Sequence, residues 1–112
     1  MKNEVLFQTA QDTFQKCLNT MAAKNHDYAK DLEDALRNFK AVEFFKLTSA
    51  PIGVLVRLSD KFMRICNLVN TEAKVKDEAI EDTIDDMINY LIIFKACLKE
   101  RKEPKTGGFP HA

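Results

Sequence analysis

The chain reads as an all-α protein: a helical bundle of three long helices plus one or two short ones. Three observations predict it. The body is short of helix breakers, because two of its three glycines and two of its three prolines lie in the last nine of 112 residues. Apolar residues recur at helical spacing through most of the length. Alternating β-branched runs, which a half-buried strand needs, are absent.

The elements follow in order. Val5, Leu6, Thr9, Phe14, Cys17, Leu18 and Met21 share a helical face, predicting a first helix over Asn3 to Ala23. Lys24-Asn25-His26-Asp27-Tyr28 holds turn-prone residues and should break it. Asp31 suits the cap of a second helix reaching Phe39, with Leu32, Ala35, Leu36 and Phe39 on one face. Phe44, Phe45 and Leu47 form a short apolar link, open to being either an interface or core. Ser49-Ala50-Pro51 combines an N-cap with a first-turn proline, and Asn70-Thr71-Glu72 ends the helix it starts. Ile52, Leu55, Val56, Phe62, Met63, Cys66 and Val69 are the expected core face of that helix. The last helix should span Lys76 to Glu100. Residues 1–102 then form one helical domain, and the Gly/Pro-rich 103–112 an extended or flexible tail.

Composition excludes several classes. The formal net charge is zero, so no basic field draws nucleic acid, and direct nucleic-acid binding is not expected. The longest apolar run, Tyr90 to Phe94, is core-sized, and the N-terminus lacks an apolar signal core. A cytoplasmic chain without membrane contact is the expectation. Cys17, Cys66 and Cys97 are an odd number, widely spaced, within apolar patterns, which predicts reduced, buried thiols. His26 and His111 have no partner at ligand spacing. Phosphate loops and Cys/His zinc spacings are missing, so any phosphate chemistry must be metal-borne.

The distinctive segment is Asp77 to Asp86, with six carboxylates in ten residues. Glu78, Asp82, Asp85 and Asn89 fall four, three and four apart, in one line along a helix. Ile80, Ile84, Met87, Ile88 and Leu91 form a separate apolar stripe. On the preceding helix Arg57, Asp60, Arg64 and Asn67 make a second polar line, with Lys61 beside it. A short connection makes the two helices antiparallel neighbours. If their polar lines face, Asp60, Glu78, Asp82 and Asp85 converge as oxygen ligands for Mg²⁺, for which Mn²⁺ can substitute. Arg57, Lys61 and Arg64 then neutralise phosphate oxygens. The same residues can instead form an inter-helix salt-bridge network. Asp27 and Tyr28 are open to stacking on and reading a base, or to packing over the helix junction.

These motifs resemble the all-α nucleoside-triphosphate pyrophosphatases, which include MazG-like enzymes, dimeric dUTPases and dCTP pyrophosphatases. They resemble still more the phage-associated nucleotide-modification-associated domain family. The likeness rests on Lys24-x-x-Asp27-Tyr28, on Arg57-Leu58-Ser59-Asp60-Lys61-x-x-Arg64, and on Asp77-Glu78 followed by Asp82-Thr83, Asp85-Asp86 and Asn89-Tyr90. It implies Mg²⁺-dependent cleavage of a (deoxy)nucleoside triphosphate to monophosphate and pyrophosphate, in a homo-oligomer. It implies metal ligands at Asp60, Glu78, Asp82 and Asp85, with Glu78 as the catalytic base. Phosphate contacts fall to Arg57, Lys61 and Arg64, and nucleotide contacts to Lys24, Asp27, Tyr28 and Asn89. Asp82-x-x-Asp85 matches the family's second acidic pair. Arg57-x-x-Asp60 stands where the first pair is expected and keeps one carboxylate, so the resemblance also covers a binding-only member. The alternative expectation is a non-enzymatic protein of a phage or mobile element whose acidic helix docks a basic partner.

Overall fold

The computed structural model describes residues 1–28, 34–70 and 76–102, and the side chains of all of these except 25–28 and 76–77. It is all-helical there: α1 (Asn3–Tyr28), α2 (Ala41–Phe44), α3 (Ala50–Val69) and α4 (Lys76–Lys102), without a strand among the described residues. None of these helices is long and apolar enough to cross a membrane.

The expected break after Ala23 does not occur, since α1 runs on to Tyr28. Extending an existing helix adds one hydrogen bond per residue fixed, and that outweighs the weak propensities of Asn25, His26 and Asp27. Asp31 and Leu32, the expected cap and first apolar residue of the next helix, lie outside the described residues. Residues 35–40 form turns rather than an α-helix. The Asp34 carboxylate sets the first of them by accepting from Leu36 N–H at 2.9 Å.

α2 ends in a Schellman motif. Leu47 N–H donates to Val42 C=O at 2.8 Å and Lys46 N–H to Glu43 C=O at 3.0 Å. Lys46 takes the left-handed position at φ 60°. α3 starts as its sequence predicts. Ser49 Oγ accepts from Ile52 N–H, Glu43 Oε2 accepts from Ala50 N–H at 3.1 Å, and Pro51 occupies the first turn. Gly53 lets α2 approach, because a Cβ there would lie 3.0 Å from a Val42 methyl. Asn70 closes the helix.

α3 and α4 form an antiparallel hairpin. Ala50, Val54 and Leu58 bury against Cys97, with Met87, Tyr90, Ile93 and Phe94 packed around them. Phe39 meets Tyr90 edge-on at 6.4 Å and lies under the Arg57 guanidinium. Lys40 bridges Asp34, at 2.7 Å, to Glu100 and so ties the 34–40 turns to the end of α4. α1 packs on α4 and not on α3, so α4 is the middle helix.

The buried face of α3 is not the one expected. Ile52, Leu55, Val56, Phe62, Met63, Cys66 and Val69 are all exposed, and Ala50, Val54 and Leu58 face α4 instead. α3 is apolar over most of its circumference, so spacing alone selects no single face. On α1, only Cys17 of the expected face is buried, and Met21 is half-buried; residues 1–9 are exposed throughout. On α4, Ile80, Met87 and Ile88 are half-buried, while Ile84 and Leu91 are exposed. Cys17 and Cys97 are buried as expected, whereas Cys66 is exposed.

Candidate functional site

The polar side of α3 and the facing side of α4 enclose two adjoining hollows. The first, about 610 Å³, is lined by Arg57, Asp60, Lys61, Arg64 and Asn67, with Met63, Leu68 and Tyr90 as its apolar wall. The second, about 470 Å³, is lined by Lys61, Arg64, Glu78, Asp82, Thr83 and Asp86. Lys61 and Arg64 border both, so the hollows form one groove with a basic half and an acidic half. Helical spacing produces this: Arg57, Lys61 and Arg64 stand one turn apart on α3, as do Glu78, Asp82 and Asp86 on α4.

The carboxylate line of α4 exists, but much of it turns toward α1. Lys16 Nζ lies 3.1 Å from Asp82 and 3.0 Å from Asp85. Asn89 is buried in the same seam, where its Nδ2 donates to Cys17 C=O at 3.1 Å. Asp86 is shared, 3.4 Å from Lys61 on α3 and 3.7 Å from Lys24 on α1. The bases pairing these acids are therefore lysines, two of them from α1. Sequence spacing missed Lys16, which lies 66 residues from Asp82 and belongs to no motif. It also missed Tyr90 as a groove wall, although Tyr90 closes the last quoted motif.

Of the expected ligands, the groove brings Glu78 and Asp82 together, places Asp60 in the other half, and leaves Asp85 on Lys16. No group of three or more Asp, Glu, His or Cys side chains among the described residues is arranged to hold a metal ion. Glu78 makes no ion pair among the described residues, so it and Asp82 are the carboxylates best placed for a cation. Mg²⁺ is commonly held by one or two carboxylates together with substrate phosphates, and two such groups meet that minimum. Lys24 reaches Asp86 from α1, while the side chains of Asp27 and Tyr28 lie outside the described residues.

Electrostatics mark the α1 seam as structural. Hydrogen bonds to Asp85 and then Asp82 push the Lys16 ammonium well above its ordinary pKa. Burial, with Asp85 nearby, raises the Cys17 thiol, and burial likewise raises Cys97, so neither is an activated nucleophile. The basic half of the groove differs. Arg57 and Arg64 are exposed, and among the described residues neither has a carboxylate within ion-pair distance.

No family model, curated protein or solved structure matches this chain. The likeness to the all-α pyrophosphatases rests on the motifs quoted above.

Proposed function

We propose that the α3–α4 groove binds a nucleotide by its phosphates and, with Mg²⁺, hydrolyses a (deoxy)nucleoside triphosphate to monophosphate and pyrophosphate. The proposal includes a cytoplasmic homo-oligomer serving phage nucleotide metabolism. One observation carries it: Arg64, without a carboxylate partner among the described residues, borders both hollows beside Glu78 and Asp82, and Arg57 lines the first. Guanidinium groups that meet no carboxylate among the described residues suit phosphate oxygens, which they can bind bidentately.

In this reading Glu78, and Asp82 once it exchanges Lys16 for the metal, would hold the cation, which when bound would supply charge neutralisation at the phosphates and activation of water. Arg57, Lys61 and Arg64 neutralise the remaining phosphate charge and orient the chain. Glu78 accepts the proton of the attacking water. The wall formed by Met63 and Tyr90 receives the nucleoside end. Asn89 is assigned to the α1 seam rather than to the ligand, since its side chain is buried there.

The acidic-helix docking alternative is weaker, because Lys16, Lys24 and Lys61 already engage Asp82, Asp85 and Asp86. The deciding experiment is pyrophosphate release from a panel of canonical and modified nucleoside triphosphates with Mg²⁺, alongside calorimetric binding. Release supports hydrolysis. Binding without release leaves a nucleotide-binding relative. Absence of binding returns the acidic-helix protein to first place.

A further inference from the structure

α3 carries two apolar faces, roughly 120° apart around its axis. One packs on α4. The other carries Ile52, Leu55, Ser59, Phe62, Cys66 and Val69, spaced alternately three and four residues apart. That is an uninterrupted heptad seam without a charged residue. Its large side chains stand open: Ile52 is 49%, Phe62 59% and Val69 58% exposed, with Val56 and Met63 beside them at 56% and 61%. Together the seam and its flanks expose on the order of 600 Å², the upper end of what a lone monomer carries and close to one side of a standard interface. α1 does not reach this face, so the chain's own long helices leave it open.

The seam complements itself when reversed. With a twofold axis between Asp60 and Lys61, antiparallel copies of α3 bring Ile52 to Val69, Leu55 to Cys66 and Ser59 to Phe62 of the other chain. Two of these three layers set a large side chain against a small one, as interdigitated packing requires. Parallel pairing would oppose Phe62 to Phe62 and Ser59 to Ser59. An isologous pair also closes after two copies, the commonest symmetry among soluble oligomers.

We propose that two copies of this chain pair antiparallel along the α3 seam from Ile52 to Val69. The pairing gives an interface to the homo-oligomer included in the proposed function and does not depend on the nucleotide chemistry.

Sedimentation equilibrium and thiol crosslinking of the full chain test it. The wild type is expected to sediment with a two-chain mass, and Phe62→Glu with a one-chain mass and helical circular dichroism. Phe62 lies outside the core of the single chain, so its replacement leaves that core intact. A short bismaleimide should capture Leu55→Cys as a covalent dimer linking position 55 to Cys66 of the other chain. The wild type should not be captured, because antiparallel helices hold the two Cys66 thiols roughly 16 Å apart. Should Phe62→Glu unfold, the crosslinking pair decides alone. A one-chain wild type up to millimolar concentration overturns the proposal. So does a wild-type Cys66–Cys66 crosslink, or a Phe62→Glu protein that keeps the two-chain mass.

Discussion

Lys16 on α1 lies 3.0 Å from Asp85 on α4, whose side chain is 15% exposed, and 3.1 Å from Asp82. With Lys24, which lies 3.7 Å from Asp86, it clamps α1 to α4. Replacing Lys16 with Met should lower the melting temperature and loosen α1. The drop should shrink in about 1 M salt, since an exposed ammonium is screened within a few ångströms there. The pKa of Lys16 is raised on folding. Its contribution is therefore full below the unfolded value of 10.5 and is lost as pH rises through the folded value. Melts at low and high salt, taken at neutral pH, check this. Identical low-salt melts for the two proteins would contradict it.

Asp34 governs the acid side. Burial works against its charge, yet the Lys40 ammonium and the Leu36 N–H outweigh burial and hold its pKa below the ordinary 3.8. A carboxylate depressed on folding contributes stability above its unfolded pKa and loses it as pH falls through the folded one. Asp34→Asn should cost about 1 kcal/mol at neutral pH, a figure discounted for partial exposure. The gap from wild type should close as the pH is taken below 3.8. Urea titrations across that range would show a constant gap if the assignment were wrong.

Lys46 occupies the left-handed position that closes α2. Glycine meets no Cβ penalty there. Lys46→Gly should stabilise by roughly 0.5–1 kcal/mol, a gain visible as a higher urea midpoint at unchanged m-value. Any loss of stability would refute the strain argument.

Val54 is fully enclosed between α3 and α4, at 0% exposure. Truncation to Ala should cost about 2–3 kcal/mol through lost burial and the cavity left behind. Chemical denaturation reads this directly, and a cost under about 1 kcal/mol would mean the hairpin core relaxes around the void.

For the proposed chemistry, Glu78→Gln should reduce pyrophosphate release by roughly 10²-fold or more while leaving nucleotide binding, as loss of a general base does. Arg64→Ala should weaken binding instead. Equal turnover by wild type and Glu78→Gln would remove Glu78 from the base role.

Local signals in the sequence were enough to place α3. Ser49, Pro51 and Asn70 mark its ends because caps act within one turn. The meeting of the two polar lines was legible in part: bases of α3 and the acids Glu78 and Asp82 border one groove. Their partners were not. Lys16 meets Asp85 across most of the chain, and nothing in a local pattern encodes that pairing. The face of α3 failed for a different reason. A helix with two apolar sides carries the same period whichever side its own chain covers. Glu43 belongs with Lys16, since its bond to Ala50 N–H reaches from one element to the start of the next.

The placement of α1 also orders the folding of the chain. Its links to α4 join residues 66 and 72 positions apart. The α3–α4 hairpin closes a loop less than half as long, through Lys61 and Asp86. Longer loops close at greater entropic cost and reward that cost later. The hairpin therefore nucleates, and α1 docks onto an α4 already built. In the native state the order reverses. The first turns of α1, residues 3–9, are solvent-exposed and fray and exchange first, the α1 seam opens next by undocking, and the amides around Val54 stay protected until the whole chain unfolds.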